Sequence, residues 1–367
     1  LPLAKIRHMY PGGNTRYAFF SLYDHLAGPQ VKRKIVLKGG PGTGKSTFMK
    51  NVGNFFYERG LDIEYHWCSS DNESLDGVVI PDQQICLLDG TAPHIVDPAF
   101  PGAVDEIINL GQFWEREKIA CSRDTIIELS GIISRCFSLA YLRLQECGAA
   151  YEELKFYHHH SLDQPAVNRN ILALTADFLE EPSPSQRQPR HLFAAAITPE
   201  GFKSRVESLI PEDAVLFGVK GSPGSGIKEL FKNIEEQMTL RGIYAEIFHN
   251  PFDPAELDLI ILPESKRVLL DISTNLPYEK RLPMQKYRRL LDFDNLLLQS
   301  HLDIHAKHIA AGSDRMEAGF KAAIDFIARA KKAHDELESY YIPAMDFDSI
   351  NHLRSELQEE LRQELEI

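Results

Sequence analysis

No two cysteines in this chain stand in a CxxC spacing; the five present, Cys68, Cys86, Cys121, Cys136 and Cys147, are odd in number and widely spaced. That excludes a zinc ribbon and argues against a disulfide framework, so free thiols are expected. Also missing is any unbroken apolar run of the length that crosses a bilayer, and no membrane partner is expected. The opening stretch LPLAKIRHMYPGGNTRY has no apolar segment followed by a small-residue cleavage site, so it does not read as a secretory signal, and a cytoplasmic location is the expectation. Positive charge is in deficit: 40 Lys and Arg against 53 Asp and Glu give a net charge of −13. An acidic surface repels phosphate backbones on average, which makes nucleic acid an unpromising partner.

What the chain does have is length for two domains, at 367 residues, and the composition of a globular protein, 43% hydrophobic and 25% charged. It also has itself twice. Shifted by 182 residues, positions 38 to 89 align with 220 to 271 without a gap, and 17 of the 52 pairs are identical. A shift of 183 then pairs AYEELKFYHH (150 to 159) with AHDELESYYI (333 to 342), and TRYAFF near the start resembles PRHLFA at 189 to 194. The Pro- and Ser-rich stretch EEPSPSQRQPR suits a linker, which places the halves at 1–182 and 191–367.

Both halves run in the same order. KIVLK (34 to 38) is a short apolar run ending at a glycine loop. After it, Phe48, Met49, Val52, Phe55 and Phe56 recur at helical spacing, with Gly60 placed to stop the helix. DIEYHWC and QICLLD read as buried strands, followed by a helical stretch from about 103 to 156. The second half repeats this with VLFGV, IYAEIFH and RVLLD, helices from about 283 to 341, and an amphipathic C-terminal helix. Strands alternating with helices imply an α/β fold, a tandem duplication of three-layer domains with mostly parallel sheets and added helical segments.

Residues 39 to 46, GGPGTGKS, fit GxxxxGK[ST] between a predicted strand and a predicted helix. Glycines let successive N–H groups turn inward as an anion nest, and the following helix adds its positive end. Gly39, Gly40, Pro41, Gly42, Thr43, Gly44, Lys45, Ser46 and Thr47 are therefore the expected nucleotide-binding residues, with ATP and Mg²⁺ as cofactors. Lys45 bridges the outer phosphates and stabilises charge in the transfer step. Ser46 offers Mg²⁺ a hydroxyl, and Asp89, ending ICLLD, orients the metal's remaining shell. Lys38 precedes the first glycine, and Lys220 recurs at the equivalent place, so a structural role is expected for it. The second copy, GSPGSGIK, has Ile227 where Lys45 stands and Lys228 where Ser46 stands, so a catalytically silent repeat is expected.

Asp71, Asp76 and Asp89 recur as Asp253, Asp258 and Asp271. Asp71, at the end of a strand, is a candidate base toward an acceptor hydroxyl or water, with turn chemistry in SSDNESLDG as the plain alternative. A zinc site from His66, Cys68 and His94 is conceivable, but unlinked residues of this kind are more often packing and loop residues. His158, His159 and His160 read as a solvated helix end. Arg116, Arg123, Arg135 and Arg143 read as a charged outer helix face rather than phosphate clamps. The residue after Asp89 is Gly90 instead of a glutamate, which favours a kinase-like reaction over a motor-type ATPase.

The stretches FFSLYD, VLKGGPGTGKSTFMK, CSSDNESLDGVVIP, LLDGTAPHIVDPAFPGAVDEIINLG and RHLFAAAITPEG resemble a bacterial family of tandem P-loop ATP-binding proteins of the ATPase or nucleotide-kinase-like kind. Members often keep an intact second loop, which this chain lacks. The resemblance implies a working Mg·ATP site in the first half, used by a slow ATPase or a phosphotransferase. The alternative expectation is a nucleotide-dependent switch acting on a protein partner. It implies nothing about the acceptor or the oligomeric state.

Overall fold

Each glycine loop follows the strand next to one edge of its own six-stranded sheet. The structure is a computed structural model that describes residues 4–28, 31–91, 95–180, 184–274 and 287–366. The first sheet is built from β1 (Ile6–Met9), β2 (Arg33–Lys38), β3 (Ile63–Trp67), β4 (Leu75–Ile80), β5 (Ile85–Asp89) and β6 (Asp105–Asn109), in the spatial order β1-β3-β4-β5-β2-β6. The second is built from β7 (Arg190–Phe193), β8 (Val215–Lys220), β9 (Glu246–His249), β10 (Leu257–Leu262), β11 (Arg267–Asp271) and β12 (Arg289–Asp292), in the order β7-β9-β10-β11-β8-β12. The two orders are the same. So is an irregularity: the pairing of the third and fourth strands slips between His66 and Trp67 in one sheet and between Phe248 and His249 in the other, positions 182 apart.

Both sheets are mixed α/β sheets of mostly parallel strands. β4 and β10 are the exceptions, antiparallel to both neighbours. Neither LDGVVI nor LDLIIL was among the expected strands, because the turn-rich residues before each masked the apolar run. β1 and β7 were also missed. The expected helical stretch 103 to 156 needs correction, since Asp105–Asn109 is the edge strand β6, paired parallel with β2. Its outward Ile107 is exposed, so its apolar residues do not reveal a buried strand. The stretch 283 to 341 is corrected in the same way by β12.

The helices of more than one or two turns among the described residues are α1 (Lys45–Tyr57), α2 (Arg123–His159), α3 (Gln164–Phe178), α4 (Ile227–Arg241), α5 (Gln299–Tyr341) and α6 (Phe347–Glu364). On α1, Phe48, Met49, Val52 and Phe56 are buried as their spacing predicts, while Phe55 is half-buried. The helix ends before Gly60, whose φ of 86° is left-handed and whose amide closes the last turn on the Tyr57 carbonyl. Among the described residues, α2 alone is long and apolar enough to cross a membrane by length and composition. A search for unbroken apolar runs passes over it, because Glu128, Ser130, Gly131, Ser134 and Arg135 interrupt its run.

The chain divides into two compact units that do not coincide with the halves 1–182 and 191–367. One unit holds residues 1–13, 21–139 and 326–367; the other holds 14–20 and 140–325. Each unit thus includes a helix from the opposite half of the sequence beside the one that follows its own loop. In the first unit α6 packs on α1 through Ile350, Leu357 and Leu361. In the second, α3 packs on α4 through Val167, Ile171, Leu174 and Phe178. Apolar burial decides this seating: each such side chain contributes about 1.5–3 kcal/mol. The half-exposed ion pairs of Arg33 with Glu360 and Glu364 add at most about 1 kcal/mol each.

Candidate functional site

In the first unit the glycine loop leaves β2 at its C-terminal end and turns into α1 through Gly42 and Gly44, with left-handed φ values of 65° and 85°. An open α/β sheet takes its ligands at this edge. The loop is braced from within, where Thr43 is buried and donates its hydroxyl to the Gly40 carbonyl at 2.9 Å. Lys45 folds back over the loop, its Nζ 2.8 Å from the Gly40 carbonyl, 3.3 Å from that of Gly39 and 3.6 Å from Asp89 Oδ2. Asp89 Oδ1 accepts from the amide and hydroxyl of Thr91, which leaves Oδ2 as the oxygen facing the lysine. Ser46 Oγ accepts from the amide of Leu75 at 3.0 Å and can still donate or offer a second lone pair. The loop, Lys45, Ser46 and Asp89 thus line one cavity of about 750 Å³. That is within the range of about 300–1,000 Å³ usual for small-molecule sites.

Lys38 stands apart from this group. Its Nζ donates to the carbonyls of Gly90 and Val96 and pairs with Asp97, pinning the chain after β5. Lys220 instead pairs with Asp292 at 3.0 Å, so both lysines are structural pegs.

Asp71 lines the cavity, yet its carboxylate is already used by the turn. One oxygen accepts from the Glu73 amide at 3.0 Å and the other from the Ser74 hydroxyl at 2.8 Å, with Lys331 Nζ 3.5 Å away. In the second unit Asp253 caps the equivalent turn and pairs with Arg16 at 3.0 Å. A turn carboxylate backed by a cation in both copies is what a structural role requires. Burial works against the charge on Lys331, but Asp335 and Asp71 outweigh it and hold its ammonium above the ordinary value.

Two of the three conceived zinc ligands, His66 and Cys68, lie among the described residues. His66 is fully buried, with Nε2 3.5 Å from Glu64 Oε2, and His94 lies outside the described residues. Burial, with the Asp76 carboxylate beside it, pushes the Cys68 thiol well up. Among the described residues, the group with metal-ligand proximity is His334, Asp335 and Glu338 on α5. Of the histidine run, His159 and His160 are exposed as expected, and one residue needs correction. His158 is buried rather than solvated, its Nδ1 2.9 Å from the Pro223 carbonyl of the second loop. None of Arg116, Arg123, Arg135 and Arg143 lines the cavity; Arg123 and Arg143 pair with Asp124 and Glu146.

Sequence reasoning missed the far wall. Lys331, His334 and Glu338 lie on one stripe of α5 facing the first loop, with Ile342 just past the end of the helix. Glu338 Oε1 accepts from the amide of Gly42 at 3.1 Å. A Cβ on Gly40 would stand 3.1 Å from the Tyr341 ring, and one on Gly42 3.0 Å from Ile342, so only glycine admits so close a helix. A signal for this wall was present in the aligned stretches EELKFYHH and DELESYYI, where Glu338 falls opposite Lys155, a reversal of charge.

The second loop keeps the backbone and loses the space. Gly224 and Gly226 have φ of 82° and 112°. The adjoining cavity is only about 40 Å³, and the backbone of Lys155 on α2 is so close that a Cβ on Gly224 would stand 2.6 Å from its carbonyl. Asp294 takes the Ser222 amide at 2.6 Å and its hydroxyl at 3.1 Å.

Comparison with family models, with curated proteins and with solved structures returns no match to this chain.

Proposed function

We propose that the first unit binds a nucleoside triphosphate with Mg²⁺ and acts on it as a slow ATPase or kinase-like phosphotransferase, the second unit being a silent copy produced by duplication. The observation that carries this reading is the convergence of the glycine-loop amides, Lys45, Ser46 and Asp89 on a cavity of about 750 Å³. The equivalent place in the second unit has room for little more than a water or two, at about 40 Å³. On this reading Lys45 exchanges its two carbonyl partners for the outer phosphates, whose charge it neutralises together with the loop amides. Ser46 Oγ and Asp89 Oδ2 hold the metal, which supplies further neutralisation of the phosphates. Asp71 shapes the rim and does not take the proton. The likeness to tandem P-loop ATP-binding proteins agrees with this assignment.

One observation favours the switch reading as a second possibility. Helix α5, from the second half of the sequence, contacts the loop through Glu338, and a nucleotide seated in the loop would compete with that contact. A partner protein could then read the state of that helix.

The test is a calorimetric titration of Mg·ATP into the full chain, with phosphate release followed on the same sample. One site per chain with release above background is expected. One tight site without release selects the switch, and no binding rejects the site.

A further inference from the structure

A carboxylate sits on an amide of each glycine loop, but the two are held differently. Asp294 follows β12 directly, beside the fully buried Phe293, and its own amide is tied to Asp292 at 3.1 Å. Its two bonds to Ser222 make it part of the fabric of the second loop. The first unit has Gly111 at the aligned position, 183 residues earlier, and cannot fill its loop that way. Its carboxylate comes from Glu338, near the end of α5, with a side chain 31% exposed. Besides the Gly42 amide it meets His334 Nδ1 at a loose 3.9 Å. A glutamate carboxylate on three rotatable bonds can leave an amide without moving the backbone.

To an inward-turned loop amide, a carboxylate oxygen offers what a phosphate oxygen offers: a charged acceptor. Both cannot occupy the same N–H, and two anions side by side in one cavity repel. We propose that Glu338 is an internal competitor for the phosphates of the bound nucleotide, so that a polyphosphate enters the first loop by displacing this carboxylate from Gly42. The proposal rests on the nucleotide-binding reading above and adds the residue that sets its affinity. It also explains the reversal of charge between the copies. Lys155, aligned with Glu338, has no anion to exclude from a loop already filled by Asp294, and its ammonium turns to Glu256 at 2.8 Å.

The test is a titration of Mg·ATP, and separately of tripolyphosphate, into the full-length protein and its Glu338→Ala, Glu338→Gln and Glu73→Gln variants. Removing a charged hydrogen-bond competitor is expected to tighten both ligands roughly ten-fold or more in Glu338→Ala. Glu338→Gln gains less, because its amide oxygen still accepts from Gly42. Glu73 lines the same cavity without a side-chain bond to the loop, so Glu73→Gln reports the field effect alone and gains least. Unchanged or weaker binding in Glu338→Ala, while the wild type binds, overturns the competition and leaves the nucleotide site standing. Equal gains in Glu73→Gln and Glu338→Ala overturn it as well, since charge alone would then account for the effect. Failure of every protein to bind either probe overturns both readings.

Discussion

The two glycine loops have nearly the same backbone and opposite prospects. Gly42 and Gly44 on one side, and Gly224 and Gly226 on the other, take the same left-handed conformations ahead of a helix on the same sheet topology. What differs is what stands on them. The first loop faces a cavity and a displaceable glutamate; the second is sealed by Asp294 and by the backbone at Lys155. The conformation of a glycine loop therefore does not by itself provide room for an anion, which depends on the side chains and space around it.

Four substitutions break or sharpen this contrast. Lys45→Ala has the largest expected effect, a loss of Mg·ATP affinity of about 100-fold or more, because a charged contact to the phosphates goes with it; a calorimetric titration reads it, and unchanged affinity sinks the site. Gly224→Ala is next. It strains a left-handed φ and pushes a methyl against the Lys155 carbonyl, so unfolding in denaturant should show a loss of about 2–3 kcal/mol with ATP affinity kept. Asp71→Asn should lower turnover less than ten-fold, since the turn hydrogen bonds can be remade; a fall of about a thousand-fold would make Asp71 the general base after all. Smallest is Lys228→Ala, expected to change neither affinity nor phosphate release, because Lys228 begins a helix on a loop that is already filled. A large loss there would mean that the second loop is not silent.

The loop itself was legible from ten residues because its chemistry is local: glycines, a lysine and a hydroxyl at fixed offsets on one turn. Asp89 was legible from strand order, and it does come within 3.6 Å of Lys45. Asp71 was ambiguous because the same aspartate can cap a turn or take a proton, and only its neighbours Ser74 and Lys331 separate the two. Glu338 was legible only as a reversal of charge against Lys155, not as a contact of the first loop. It lies 296 residues from Gly42, on a helix that sequence places in the other repeat.

The amino-acid sequence by itself determined the repeat, the apolar strands and helix faces, and the residues of one phosphate loop, because each depends on neighbours a few positions away. Only the tertiary structure decided which helix covers which sheet, which carboxylate rests on which loop, and how much space each loop keeps. Those outcomes depend on apolar faces buried across most of the chain, and two repeats with matching faces leave the choice of partner to packing.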